Sequence, residues 1–385
     1  MTPFDHIRPY FDSEVNQALH NIKDHPIIKA LLTFSLGNLP EAEQQAALLD
    51  CHSIYDFQSK IVYNAIQQVL SQTSEGFTTS GFEKLEKDTS YLFVSNHRDI
   101  ILDTTLINVA LYEHGLVMTA SAIGDNLVQQ PILLELSKLN RNFLVQRSLA
   151  PREMLQSSRL LSQYIRKNLV EDNRSVWLAQ REGRTKDGND LTQQGVLKML
   201  ALGCAQGEDV WEYFKKIRIV PVSISYEFDP TDKLKMPELM AKYYEQEYIK
   251  SSNEDFNSIL KGLTGQKKRI HLAIGNILTA ELDEIADQND PQNKKLQDLA
   301  ELIDRRIYAN YKLWPSNYIA CDLFFQSDKY MAHYTEREKK QFERRIDKRV
   351  EPYNWLALKN FLMMYANPVV NLEKVAMGGT EELRN

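Results

Sequence analysis

Residues 91–103 read YLFVSNHRDIILD, and the reading of this stretch decides the fold. Tyr91, Leu92, Phe93 and Val94 are a continuous β-favouring apolar run, the pattern of a short buried strand. The run breaks at Ser95-Asn96, and His97, Arg98 and Asp99 follow at once. Ile100-Ile101-Leu102 then leads into Asp103 and a helical pattern, TTLINVALYEHG. Asp103 with Thr104 and Thr105 predicts a helix N-terminus, where short polar side chains satisfy free backbone N–H groups. A histidine at the carboxyl end of a strand thus faces a carboxylate at the start of the next helix. Such a carboxylate can fix the imidazole tautomer and stabilise the imidazolium, freeing the other nitrogen to act as a general base. Taken alone, the same residues also fit a hydrogen-bonded structural histidine and a helix cap.

Outward from this stretch, strand-like and helical runs alternate as far as Glu227. Phe77 to Leu85 reads as a short strand and turn before it. After it, Leu116 to Ser121, Phe143 to Val145, Ser175 to Leu178 and Ile217 to Tyr226 are strand-like. Gln130 to Leu139, Pro151 to Asn168 and Leu191 to Ala205 are helical between them. This alternation predicts an α/β fold, a mostly parallel mixed sheet flanked by helices. In open sheets of this kind ligands bind outside the carboxyl ends of the strands. The polar groups NHRD, QRS, QREGR and the Pro221 region all fall at or beside strand ends. Pro221, inside an apolar strand, predicts an edge position or a bulge.

Residues 1–75 carry helix-spaced apolar positions, such as Ile54, Phe57, Ile61, Ala65 and Val69, and read as an N-terminal helical extension. Residues 76–330 form the α/β domain, with a further strand expected at Arg269 to Ile274. Residues 331–385 are a helical C-terminal segment. Its charge-dense part, TEREKKQFERRIDKR, predicts a solvated helix face. Its apolar part, YNWLALKNFLMMYANPVV, predicts a packed helix or an interfacial one. The terminal MGGTEELRN is expected to be loose.

The 385 residues are 43% hydrophobic and 25% charged, with a formal net charge of -6, an ordinary soluble globular composition. The acidic balance argues against general nucleic-acid binding, which leaves a basic footprint. Cys51, Cys204 and Cys321 form neither a disulfide framework nor a zinc pattern, so a reducing compartment fits. No apolar stretch of about 18 residues is present to span a bilayer, and the first residues lack the apolar core of a signal peptide. The eight histidines include no compact metal-ligand spacing.

Two further groups carry chemistry. Val176-Trp177-Leu178-Ala179 runs into Gln180-Arg181-Glu182-Gly183-Arg184-Thr185-Lys186. A glycine between an acid and a base lets backbone approach a ligand, and Arg184 and Lys186 are suited to phosphate, the arginine in bidentate fashion. The same turn also fits solvated surface charge. Arg147 ends the Phe143 strand, where a salt-bridge role is the simpler alternative.

Together and in order, these blocks resemble the glycerolipid acyltransferase family, which includes glycerol-3-phosphate and lysophosphatidic acid acyltransferases. The blocks are Gly81-Phe82-Glu83-Lys84-Leu85 into Ser95-Asn96-His97-Arg98 and Asp103, Phe143 to Arg147, Glu182-Gly183-Arg184-Thr185, and Val220-Pro221-Val222. In the family four residues separate the histidine from the aspartate, whereas five stand between His97 and Asp103. Asp103 is the expected partner of His97, with Asp99 the alternative. Arg181 stands where the family more often has a proline.

The resemblance implies transfer of a fatty acyl group from acyl-CoA or acyl carrier protein to a hydroxyl of a glycerol phosphate or lysophospholipid. It implies His97 as general base and Asp103 as its orienting group. Arg147, Gly183 and Arg184 would bind acceptor phosphate, Lys186 would assist, and Glu182 would organise the turn. Val220-Pro221-Val222 would shape the floor and acyl path. It implies no metal or cofactor, and a cytoplasmic enzyme, peripheral at the inner membrane face. Alternatives on the same fold are an aminolipid or other lysolipid acceptor, and a catalytically silent lipid-binding protein.

Overall fold

The computed structural model describes residues 2–147, 149–251 and 253–377. Ser148 of the QRS group and the stretch after Met377, expected to be loose, lie outside the described residues.

The fold is an α/β layering around one seven-stranded sheet of order β1-β7-β6-β2-β5-β3-β4. Its strands are β1 Ser74–Ser80, β2 Leu92–Ser95, β3 Thr119–Gly124, β4 Asn142–Val145, β5 Ser175–Ala179, β6 Ile219–Tyr226 and β7 Lys268–Ile274. Every neighbouring pair is parallel except β6 and β7. The expected mostly parallel mixed sheet is therefore present.

Alternation along each strand serves two cores. Leu92 and Val94 point into one with Val176, Leu178 and Ile219. Tyr91 and Phe93 point into the other with Trp177, Val220, Val222, Ile224 and Tyr226. Leu92, Phe93 and Val94 are fully buried, each contributing about 1.5–3 kcal/mol. The helix Leu102–Glu113 covers the second face with Leu102, Leu106, Ile107 and Val109. The same face therefore carries Asp103 and the last residue of β6.

Pro221 does not mark an edge, because β6 lies inside the sheet between β7 and β2. The Pro221 carbonyl accepts from Gly275 N at 2.8 Å, just past the β6–β7 ladder, which ends at Val222 and Ile274. The N–H and C=O of a strand residue point to the same side. The missing donor thus falls where β7 has already left the ladder, and no strand bond is lost.

The first residues form helices Asp12–Ile22, Pro26–Leu36 and Glu41–Leu49, packed with Ile132 and Leu139, while the next helix, Tyr63–Thr73, sets Ile66, Val69 and Leu70 into the second sheet core. Near the other end, helix Trp355–Ala376 buries Phe361, Leu362, Met364, Tyr365 and Val369 against Ile319, Ala320 and Phe342. No helix among the described residues is long and apolar enough to cross a membrane. The charge-dense helix Glu336–Arg349 is not wholly solvated: Arg345 is buried and reaches Asp232 at 2.7 Å.

Candidate active site

The site lies beyond the carboxyl ends of β2, β5 and β6. β2 stops at Ser95, opposite Val222 of β6 and Ala179 of β5. Asn96 then continues the pairing with its side chain, donating to the Ile224 carbonyl at 2.9 Å and accepting from Ile224 N at 2.8 Å. This holds the chain extended for one more residue, so that His97 emerges at the end of the sheet.

His97 Nδ1 lies 2.8 Å from Asp103 Oδ2. A carboxylate can only accept, so Nδ1 carries the proton and Nε2 is left as the nitrogen that takes one. The His97 side chain is 14% exposed, while Asp103 is fully buried. Asp103 is held from four directions. Its Oδ2 also accepts from Arg98 N at 2.6 Å and Asp99 N at 2.9 Å, and its Oδ1 accepts from the Tyr226 phenol at 2.8 Å. The Trp177 ring stands edge-on to the imidazole, with centroids 5.3 Å apart, and donates Nε1–H to Ser95 Oγ at 2.9 Å.

Asp99 makes no bond to His97. Its Oδ1 accepts from Ile101 N and Leu102 N at 3.0 and 2.9 Å. The helix opens at Leu102, so the amides at its entrance are met by Asp99 rather than by Asp103, contrary to the capping role expected of Asp103. Burial, and then the neighbouring Asp103 charge, push the Asp99 carboxyl above the usual carboxylate range. Its Oδ2 is buried without a partner among the described residues and lies against Gly262. The five-residue spacing thus leaves room for one carboxylate to cap the helix and another to meet the histidine.

The glycine turn folds back to the same loop, since Thr185 N donates to the His97 carbonyl at 2.9 Å. Gly183 adopts φ +68°, in the left-handed region, and is exposed with open space where a Cβ would stand. Arg184 is 8% exposed, and its Nη1 has no partner among the described residues. Lys186 lies 3.2 Å from Glu238 of helix Asp232–Tyr243, and burial lowers its pKa to about 8. Arg147 and Glu182 are joined by an ion pair at the rim, where the Glu182 side chain is 70% exposed. Arg147 Nε is buried without a partner among the described residues.

Sequence reasoning missed Tyr226 and Lys235, and it named Arg98 in the motif without a partner. Arg98 pairs with buried Asp190 at 2.5 Å. Lys235, 1% exposed, pairs with Asp229 and donates to the Arg98 carbonyl at 3.1 Å. Tyr226 had only its place at the end of a strand to mark it. Lys235 had no signal, since it sits in a polar helical stretch far from the other blocks. No group of acidic, histidine or cysteine side chains among the described residues is arranged to hold a metal ion.

Residues 76–225 match the sequence profile of the family described as Acyltransferase. No curated protein matches the chain. Among solved structures, the 1-acyl-sn-glycerophosphate (LPA) acyltransferase PlsC from Thermotoga maritima aligns over 74% of this chain and 91% of its own, at 13% identity and a TM-score of 0.37. The profile covers the motif blocks from Gly81 to Val222 in their order, and the segment from residue 76 to residue 225 is a domain of the acyltransferase family.

Proposed function

We propose that the protein is an O-acyltransferase of glycerolipid synthesis, moving a fatty acyl group from an acyl thioester to a hydroxyl of a glycerol phosphate or lysophospholipid. The observation that carries this reading is the His97–Asp103 pair at the carboxyl end of β2, its carboxylate fully buried and its imidazole partly exposed, inside the segment that matches the acyltransferase family. In the proposed reaction His97 Nε2 takes the acceptor hydroxyl proton as its oxygen bonds to the thioester carbonyl carbon. Collapse of the tetrahedral intermediate breaks the C–S bond, and the imidazolium returns the proton to the departing sulfur. Asp103 holds the ring and offsets the positive charge that forms on it. No covalent acyl-enzyme, metal or cofactor is required by this scheme.

Arg184 supports a phosphate-bearing acceptor, because a buried guanidinium with an unpaired Nη1 calls for an anion. In this reading Lys186, the Gly183 turn and Arg147 complete the phosphate site, and Glu182 fixes Arg147 at its rim. The donor is acyl-CoA or acyl carrier protein.

The proposed place of action is a membrane surface on the cytoplasmic side; one exposed group supports the membrane surface, without bearing on its side. Tyr243 contacts Tyr244 and Trp355, with centroids 5.4 and 6.0 Å apart, and all three remain about half exposed or more. Such amphipathic rings suit a headgroup layer. Flotation with phospholipid vesicles tests this, and retention unchanged in Trp355→Ser combined with Tyr243→Ser would remove the support.

The function itself is tested by offering purified protein a long-chain acyl-CoA, or acyl carrier protein, with glycerol 3-phosphate, lysophosphatidate, or a lysolipid lacking the phosphate monoester. Ester formation confined to the phosphate-bearing acceptors is expected. Turnover of an aminolipid instead would change the acceptor, and thiol release needing no acceptor would point to thioester hydrolysis.

A further inference from the structure

Tyr226 belongs to no motif block, yet it is the one hydrogen-bond partner of Asp103, among the described residues, that comes from outside the loop 97–99. The other three donors, His97 Nδ1, Arg98 N and Asp99 N, all converge on Oδ2 and move with the loop that carries them. The Tyr226 phenol alone reaches Oδ1, at 2.8 Å.

The strand geometry explains how it gets there. β6 runs on past the end of β2, beside the NHRD loop, and pairs on its other side with β7 up to Tyr226 and Ile270. Asn96 binds the backbone of Ile224, and two residues further on, on the same face, Tyr226 projects toward the helix Leu102–Glu113. The tyrosine ring is buried among the apolar side chains of that face, and its register is fixed by two neighbouring strands. It therefore ties the orientation of Asp103 to the sheet.

We propose that Tyr226 is a positioning residue for the His97–Asp103 pair: its phenol holds Asp103 Oδ1 so that Oδ2 faces the imidazole, and it moderates the charge that Asp103 presents to Nδ1–H. The phenol is suited to a permanent donor's role. Burial, with Asp103 and Asp99 close by, pushes its ionisation well above the ordinary tyrosine range. Tyr226 itself is 8% exposed and does not become a base in this scheme. Its contribution to turnover rests on the acyltransferase reading, whereas its hold on Asp103 does not.

The test is Tyr226→Phe, which removes one oxygen and keeps the ring in its packing, beside 3-fluorotyrosine at position 226, a stronger donor of nearly the same size. The low-field proton resonance of His97 Nδ1–H, assigned by its absence in His97→Gln, is recorded for each protein. With Oδ1 unpartnered, the carboxylate concentrates its charge on Nδ1–H, so Tyr226→Phe moves the resonance to lower field. The fluorinated residue moves it the other way. In steady-state kinetics Tyr226→Phe lowers kcat about tenfold, the size of one hydrogen bond to a charged group, with the acceptor KM within about twofold. A resonance unmoved by both replacements overturns the proposal and leaves Tyr226 a packing residue. Should the unaltered protein transfer no acyl group to any acceptor, the proposed function fails, and the resonance still decides the role of Tyr226.

Discussion

Asp103→Asn separates the two carboxylates of the loop by chemistry rather than by shape. An asparagine in place of Asp103 keeps one oxygen to accept from the loop, and its amide can donate to Tyr226, whose hydroxyl can turn to accept. The fold therefore survives, but no negative charge faces His97. The imidazolium formed during transfer lies in contact with Asp103, with charge centres about 4 Å apart, and at an effective dielectric constant of about 20 that interaction is about 4 kcal/mol. Its loss slows turnover on the order of a thousandfold. Asp99→Asn keeps the oxygen that accepts from Ile101 N and Leu102 N, and removes a carboxyl already held above its usual range. Turnover is then expected within about threefold of the parent, since no bond to His97 changes. Acyl-CoA thiol release, with urea unfolding to confirm that both variants are folded, measures the pair. Asp103→Asn within tenfold of the parent, or Asp99→Asn as the more damaging change, would refute the assignment.

Arg184→Gln removes a buried charge from the proposed phosphate site and should raise the acceptor KM about tenfold to a hundredfold, with a smaller effect on kcat; equal KM values would exclude Arg184 from the acceptor. Lys186, lowered to about 8 by burial, is charged below that pH and neutral above it, so kcat/KM for a phosphate acceptor falls as pH rises through about 8. In Lys186→Gln that alkaline limb is lost, and a limb that persists unchanged assigns it elsewhere. Gly262→Ala places a Cβ 2.1 Å from Asp99 Oδ2, which must shift with the helix entrance it caps. A loss of about 1–3 kcal/mol in urea unfolding is expected, and unchanged stability would mean the loop yields freely.

How much of this was legible in the sequence differs by element. A strand was read from the sequence near each of the seven, and the mostly parallel pairing from their alternation with helices. β2, β5 and β6 were plainest, because burial on both faces leaves a continuous apolar signature, whereas the order of the strands in the sheet was not legible. The Pro221 inference failed for a specific reason. Proline forbids a ladder bond only on the side its nitrogen faces, and sequence does not say on which side a neighbouring strand stops. His97 and Asp103 could be paired from their places at a strand end and a helix start. The division of labour between Asp103 and Asp99 could not, since both lie within one turn of the helix entrance and only the loop path separates them. Tyr226 and Lys235 reach the site, and Asp190 reaches Arg98, through contacts between elements far apart in the chain, and no local pattern records such contacts. The apolar C-terminal segment admitted a packed or an interfacial helix. The structure buries most of that helix's apolar side chains and leaves Trp355 exposed with Tyr243 and Tyr244, a meeting of two helices more than a hundred residues apart.

The measurement closest to the central claim is acceptor-dependent thiol release from long-chain acyl-CoA by the unaltered protein and by His97→Gln, which keeps a polar side chain of similar size. If His97 is the base, release by the unaltered protein depends on added glycerol 3-phosphate or lysophosphatidate. The variant should lose at least a hundredfold of it, the lower range for a general base, while its thermal unfolding and acceptor binding stay near those of the parent. Release that persists in a folded His97→Gln would contradict the account, because the proposed scheme gives the acceptor proton no other base.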